Sequence, residues 1–167
     1  DQQWTVLLGT SSYETGTGVA VSGDYIYVFG TTNNFMPEQT SNGGNDVFLA
    51  RLAASNGSLT WVRQFGSTAD DTAGGVAINA SGKIFLTGTT MGAIQSEHAI
   101  GSSDAFVAAY DTDGNAEWIR QFGSTGYDRV SGISADPTGN VWVTGTTSSV
   151  IGDQTGAGED DAYVLRF

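Results

Sequence analysis

Two stretches of the chain decide the fold: WVRQFGST at residues 61–68 and WIRQFGST at residues 118–125. They start 57 residues apart, and a more divergent copy, WTVLLGTS, starts another 57 residues earlier at Trp4. Self-similarity at a fixed period of this length is typical of repeat architectures. The sequence therefore predicts three tandem units.

Three further motifs recur in every unit, always in the same order. Their first copies are GVAV at 18–21, YIYVFGTT at 25–32 and DVFLARL at 46–52. The later copies read GVAI, KIFLTGTT and DAFVAAY in the second unit and GISA, NVWVTGTT and DAYVLRF in the third. Together with the tryptophan motif, each unit contains four short runs of β-strand character.

The second run of each unit is apolar on both faces. In the middle unit, Ile84 and Leu86 alternate with Phe85. Such a strand is buried on both faces, which in an antiparallel unit requires a sheet stacked on each side. The dipeptides Asn-Gly at 56–57 and Asp-Gly at 113–114 are typical of tight hairpins. Because no segment shows an apolar period of 3.6 residues, we predict almost no helix.

These motifs resemble the bacterial SBBP-type β-propeller repeat family. The resemblance rests on DAFVAAYDTDGNAEWIRQFGS at 104–124, GYDRVSGISADPTGNVWVTGTT at 126–147 and their copies, and it covers essentially the whole chain. The first unit departs from it at Val6, Leu7 and Leu8, where the other units have Arg, Gln and Phe. The resemblance implies an extracellular or cell-surface location in bacteria, and it leaves the ligand open.

The resemblance also implies an all-β fold of the β-propeller type, with three four-stranded antiparallel blades of about 57 residues. We expect one β-propeller-like domain over residues 1–167, with repeats at about 4–60, 61–117 and 118–167. By analogy with similar propellers, the GVAV run is the innermost strand and the tryptophan run the outermost. The chain then begins with an outer strand and ends on a third strand that lacks an outer partner. Because propellers close with about four to eight blades, we expect another chain to complete this one.

The two ends of the chain carry the predicted assembly strands. We expect the first to pair with the second from another copy, so that the chain is a homo-oligomer. Two copies make a six-bladed dimer, whereas a rotation that does not close gives a head-to-tail polymer. The alternative is that the chain is a piece of a longer array. The assembly residues are Trp4, Thr5, Val6, Leu7 and Leu8, and Asp161, Ala162, Tyr163, Val164, Leu165, Arg166 and Phe167.

The most variable segments link the second and third runs of each unit, at 33–45, 91–103 and 148–160. Loops that differ between otherwise similar repeats are where binding specificity usually lies, so we expect these rim loops to contact a protein or glycan ligand. The alternative is that their apolar side chains lie beneath their own loops. The rim-loop contact residues are Phe35, Met36, Glu38, Ile94, Glu97, Val150, Ile151 and Asp153.

Composition restricts the class of partner. The net charge is −12 and the six basic residues do not cluster, which argues against nucleic acid. No apolar run is long enough for membrane insertion. There is no cysteine, so disulfides and thiolate metal sites are excluded. We predict no cofactor. Ca²⁺ remains an alternative at two recurring sets of carboxylates, Asp46, Asp104 and Asp161, and Glu14, Asp71 and Asp128.

The recurring tryptophans and Trp142 are predicted to be packing residues of the core. No catalytic motif occurs, and the chain has a single histidine. The sequence therefore predicts a non-enzymatic, secreted or surface module for binding and assembly, which self-associates through its N-terminal strand. Two alternatives stay open: a subunit of an extracellular filament, and a carbohydrate-active enzyme fragment. The carboxylates of the enzyme alternative are Glu38, Glu97, Asp153 and Glu159.

Overall fold

The computed structural model describes residues 3–154, 156 and 158–167, and this part of the chain forms eleven β-strands and no helix. The strands are β1 (Glu14–Ser22), β2 (Tyr25–Thr32), β3 (Asp46–Ala53), β4 (Leu59–Phe65), β5 (Asp71–Ile78), β6 (Ile84–Thr90), β7 (Asp104–Tyr110), β8 (Ala116–Phe122), β9 (Asp128–Ala135), β10 (Val141–Thr147) and β11 (Asp161–Arg166). The predicted all-β class is confirmed.

The strands form three antiparallel sheets in the order β1-β2-β3-β4, β5-β6-β7-β8 and β9-β10-β11. The first two blades have the predicted four strands, and the third has three, as expected for a blade without its outer strand. Neighbouring blades contact each other through their first strands, β1 with β5 and β5 with β9. The blades are thus stacked side by side, and the stack is open.

The apolar core lies between the blades. In the middle blade, β6 is buried on both faces: Ile84 and Leu86 are fully buried and Phe85 is 2% exposed. In the third blade, β10 buries Val143 but leaves Trp142 42% exposed. The prediction that Trp142 belongs to the core is therefore wrong, because no sheet of the described chain covers that face.

The segment before β1 is assigned to no strand. The first strand of the described chain is β1, so residues 4–8 belong to none of its eleven strands. The inner strands also begin four residues earlier than the GVAV motif, because β1 starts at Glu14. The recurring carboxylates Glu14, Asp71 and Asp128 are therefore the first residues of the inner strands.

The hairpins have the predicted turn chemistry. Gly57 and Gly114 have positive φ angles of 73° and 81°, which glycine adopts without a steric penalty. In the second hairpin, Asp111 Oδ1 accepts hydrogen bonds from the backbone N–H groups of Asp113 and Asn115, at 2.9 and 2.8 Å. Residues 111–115 thus form a hairpin turn that the carboxylate of Asp111 stabilises.

Candidate assembly site

The junction between two blades is built in the same way twice, beginning at the inner strands. Gly18 of β1 faces Val76 of β5, and a Cβ placed on Gly18 would lie 3.0 Å from Val76 Cγ1. Gly75 of β5 faces Ile133 of β9, where the corresponding distance to Cγ2 is 3.1 Å. A glycine in one blade thus makes room for a branched side chain of the next, which allows the two backbones to approach closely.

A threonine hydroxyl adds a polar contact to each junction. The backbone N–H of Ala73 donates to Thr31 Oγ1 at 3.0 Å, and that of Val130 donates to Thr89 Oγ1 at 3.4 Å. Both donors lie next to a register shift between the first and second strands of their blade. Each blade therefore supplies one donor to the blade before it and one acceptor to the blade after it.

The outer strands dock on the following blade through an aromatic side chain. Phe65 of β4 packs on Phe106 of the second blade, with 5.9 Å between the ring centroids. Phe122 of β8 packs on Tyr163 of the third blade in the same way, at 6.1 Å. The outer strand thus belongs to one blade by hydrogen bonding and covers the next blade by packing.

Each complete blade also ties its rim loop to a glutamine of the outer strand. In the first blade, Gln64 Oε1 accepts from the backbone N–H of Met36 at 2.8 Å, and Gln64 Nε2 donates to Asp46 Oδ2 at 2.8 Å. Gln64 Nε2 also donates to the carbonyl oxygen of Asn34 at 3.0 Å. The backbone N–H of Gln64 donates to Gln39 Oε1 at 3.1 Å. The glutamine thus satisfies several polar groups of the loop at once.

The second blade repeats this arrangement around Gln121. Its Oε1 accepts from the backbone N–H of Ile94 at 3.1 Å, and its Nε2 donates to Asp104 Oδ2 at 2.8 Å. The backbone N–H of Gln121 donates to Glu97 Oε2 at 3.2 Å. Because Glu97 also lies 3.7 Å from Arg120, its carboxylate is held within its own blade.

The third blade leaves the corresponding place open. A pocket of about 320 Å³ lies beside β11, where the outer strand runs in the other two blades. It includes Ile151 and Asp161, which match Met36 and Asp46 of the first blade. We call this pocket the third-blade socket. Its lining residues are Thr147, Ser149, Ile151, Gln154, Gly156, Asp161, Ala162, Tyr163, Val164 and Leu165.

The N-terminal segment lies on the first blade in the manner of an outer strand from a preceding blade. Leu8 packs against a cluster that contains Phe48, just as Phe65 packs on Phe106. Both pairs occupy equivalent positions of the repeat. The segment therefore covers the first blade as β4 covers the second.

The tryptophan of this segment supports the same equivalence. Trp4 lies against the first hairpin, where a Cβ on Gly57 would be 2.7 Å from its ring, and its indole N–H donates to the carbonyl oxygen of Ala54 at 3.1 Å. Trp61 lies against the second hairpin, with 3.2 Å from its ring to a Cβ on Gly114. Residues 4–8 thus keep the docking contacts of an outer strand.

Leu7 points away from the first blade and is 92% exposed. This orientation follows from the alternation of an extended chain, since its neighbour Leu8 packs inward. Leu7 occupies the repeat position of Gln64 and Gln121. The N-terminal segment therefore has an apolar side chain at the position where the complete blades have a glutamine that binds the rim loop.

The structure divides the predicted rim-loop residues into two groups. Met36 and Ile94 are 2% and 0% exposed and lie beneath their loops, so for them the alternative of loop anchoring holds. Ile151 packs beneath the third loop in the same position. The exposed residues of the set are Phe35, Glu38, Val150 and Asp153.

Four of the six recurring carboxylates are buried where two blades meet. Asp46, Asp71, Asp104 and Asp128 are each at most 1% exposed. Asp71 Oδ2 accepts from the backbone N–H of Ser67 at 2.6 Å. Burial raises the pKa of Asp71 above its usual value, and the nearby Asp46 carboxyl adds to the increase.

Comparison with known proteins connects this architecture to a repeat family. Residues 117–152 match the family model SBBP, described as a beta-propeller repeat. The matched segment is similar to SBBP repeats. It starts in β8 and runs through β9 and β10 into the third rim loop. The resemblance predicted from the sequence is confirmed for this segment, and it supports a non-catalytic binding or structural module. No curated protein matches the chain.

The described residues bear on two further predictions, those on membrane insertion and on Ca²⁺ binding. They contain no helix that is long and apolar enough to cross a membrane. Among the same residues, no three His, Cys, Asp or Glu side chains come together in a group that could hold a metal ion. The Ca²⁺ alternative therefore has no group of three ligands in residues 3–154, 156 and 158–167.

Sequence reasoning missed the glutamines of the outer strands as the residues that bind the rim loops of the first two blades. Their signal was present, because Gln64 and Gln121 recur in the motif W-x-x-Q-F. Most of their partners are backbone groups of loops whose sequences differ, and such partners leave no pattern in the sequence. Gln39 was missed for a related reason, because its counterpart in the second blade, Glu97, carries a carboxylate in place of the amide and was predicted only as a rim-loop residue.

Proposed function

We propose that this chain is a non-enzymatic assembly module in which residues 4–8 of one copy complete the third blade of another copy. One observation carries the proposal: these residues already dock on the first blade as β4 docks on the second, while β11 is the edge strand of the third blade among the described residues. The contact is head-to-tail, because the two surfaces lie on different blades of the chain. An exposed sheet edge beside a pocket is also a common site for strand addition.

In the proposed junction, Leu7 enters the third-blade socket of the other copy. Its backbone N–H donates to the side chain of Gln154. Gln154 has the repeat position of Gln39 and Glu97, whose side chains accept the corresponding hydrogen bonds in the complete blades. The apolar side chain fills the space beside Ile151 and Leu165. Trp4 and Leu8 remain docked on their own first blade throughout.

The rim loops would present the binding surface of the assembled module. Phe35 and Val150 are 60% and 50% exposed, and they stand on loops that differ between repeats. Exposed apolar side chains on variable loops favour contact with a protein or glycan partner. The proposed location is the bacterial cell surface or the extracellular space, for which the SBBP resemblance is the support. Protease treatment of intact cells tests it, because an exposed module is cleaved while cytoplasmic proteins remain whole.

Light scattering over a concentration series tests the assembly. We expect a species of twice 17.4 kDa for a closed dimer, or a broad distribution of higher masses for a filament. The exposed position of Leu7 offers a clean variant: Leu7→Asp places a charge in the socket and should yield monomers. The matched control is Met91→Asp, which alters a side chain that is 59% exposed and lies on the second blade, outside the proposed contact.

Deletion of residues 1–8 should likewise yield monomers, with circular dichroism to show that the β-sheet remains. A wild-type chain that stays monomeric at every concentration would overturn the proposal. So would a Leu7→Asp variant that associates as strongly as the wild type.

A further inference from the structure

The two open faces of the blade stack carry the two halves of the internal junction. The front face is the side of the first blade that bears Val19 and Val21, which are 67% and 65% exposed. The back face is the side of the third blade that bears Trp142 and Val164, which are 42% and 68% exposed. The positions of Trp142 and Val164 are at most 2% exposed in the first two blades, where a following blade covers them.

The back face contains a groove that matches the hole of the internal junctions. Gly132 occupies the repeat position of Gly18 and Gly75. A Cβ placed on Gly132 would have only Thr144 Cγ2 within 4 Å, at 3.5 Å. A groove of about 290 Å³ lies above it, lined by Gly132, Ile133, Ser134, Trp142, Val143, Thr144 and Val164. The space that Val76 and Ile133 fill at the internal junctions is thus open here.

The front face contains the matching side chain. Val19 occupies the repeat position of Val76 and Ile133, the residues that pack on the glycines of the preceding blade. It points to the side of the first blade that no other blade covers. The open faces also carry the residues of the hydroxyl contact. On the back face, Thr146 has the repeat position of the acceptors Thr31 and Thr89. On the front face, Gly16 has the repeat position of the donor Ala73.

We infer that the back-face groove over Gly132 binds Val19 of a second copy, with Thr146 accepting a hydrogen bond from the backbone N–H of Gly16. This inference rests on the proposed head-to-tail association and adds a second contact, at the inner strands, to the strand completion at the outer edge. The occupant is a second copy because the same knob-and-hole contact occurs twice within the chain. The junction between copies is then a third instance of the junction between blades.

Two substitutions block one face each while leaving the fold intact. Gly132→Leu fills the groove, and the open space around its Cβ position accommodates a side chain within the isolated chain. Val19→Asp places a charge on the front face at an exposed position. The matched controls are Ala80→Leu, at an exposed turn of the second blade, and Met91→Asp, at an exposed position of the same blade.

The test is a mixing experiment followed by sedimentation velocity. Each variant alone should be monomeric, because each lacks one half of every junction. An equimolar mixture should form a two-chain species, because the intact front of the Gly132→Leu chain meets the intact back of the Val19→Asp chain. This species should require a higher protein concentration than the wild type, since only one of its junctions is intact. Formation of the mixed species also shows that both variants are folded.

The outcomes separate this inference from the proposed function. If Leu7→Asp yields monomers while Gly132→Leu associates like the wild type, strand completion stands and the inner contact is refuted. If Gly132→Leu yields monomers while Leu7→Asp associates normally, the inner contact stands and strand completion is refuted. A mixture that remains monomeric refutes the inner contact, and a monomeric wild type refutes both.

Discussion

The carboxyl groups of Asp46 and Asp71 meet over Gly66, where the first blade adjoins the second. A Cβ placed on Gly66 would lie 2.5 Å from Asp71 Oδ2 and still closer to Asp46 Oδ1. Both carboxyl groups are fully buried. Two buried carboxyls at such close quarters favour retention of a proton by one of them, which agrees with the raised pKa of Asp71. The second and third blades repeat the arrangement with Asp104 and Asp128 over Gly123.

This pair predicts that the contribution of Asp71 to the stability of the chain falls as the pH rises toward neutrality. Because the pKa of Asp71 is higher in the folded state than in the unfolded state, folding binds protons between those two values. The contribution of Asp71 to the free energy of unfolding should therefore fall as the pH rises from about 4, the usual pKa of an unfolded Asp, through the raised value of the folded state. Urea unfolding at a series of pH values measures the slope.

Asp71→Asn isolates the contribution of this group. The amide mimics the protonated carboxyl, so the variant should gain stability at neutral pH and show a flatter pH profile than the wild type. Asp24→Asn, at an exposed turn, is the control and should leave the profile unchanged. A steeper profile in Asp71→Asn would contradict the interpretation.

Replacement of Gln64 should destabilise the first blade. Gln64→Leu leaves the backbone N–H of Met36 without its acceptor and removes one of the two donors to Asp46 Oδ2, the other being the backbone N–H of Asn42. An unsatisfied buried polar group costs roughly 1–3 kcal/mol, so we expect a loss of about 2 kcal/mol in the free energy of unfolding. Denaturant titration measures it, with the exposed Gln95→Leu as control. Equal stabilities of the two variants would show that the glutamine does not hold the loop.

The blade repeat could be predicted from the sequence because its determinants are local. Gly75 and Val76 stand at the same offset from the tryptophan motif as Gly132 and Ile133, so a comparison of the chain with itself reveals them. The turn glycines could also be predicted from the sequence, because a turn that requires a positive φ angle favours glycine.

The environment of Trp142 could not be predicted in this way. Its strand is as apolar as β6, but burial of its outer face depends on whether a further blade is present. A motif specifies what a side chain can pack against, whereas the neighbour itself is a property of the whole assembly. The same reason explains why the open halves of the junction, Val19 and Gly132, became visible only in the structure.

Restoration of the glutamine at the N-terminus should strengthen association. Leu7→Gln introduces the side chain that Gln64 and Gln121 use to bind their rim loops, here directed at the backbone of Ile151 and Ser149 and at the carboxylate of Asp161. A gain of about 1 kcal/mol from new hydrogen bonds corresponds to roughly a fivefold lower Kd. Sedimentation equilibrium measures the Kd, with Leu7→Met as a control of similar size and no new donor. A weaker association of Leu7→Gln than of Leu7→Met would place Leu7 outside the socket.

Association should become tighter as salt is added. Each copy carries a net charge of −12, so two copies repel each other as they approach. The proposed contacts are mostly apolar or made by backbone groups, so screening removes this repulsion without weakening many ion pairs. We therefore expect the Kd to fall severalfold between about 50 and 500 mM NaCl, where the Debye length shortens from roughly 14 to 4 Å. A Kd that rises with salt would contradict this prediction, because it would mean that ion pairs dominate the junction.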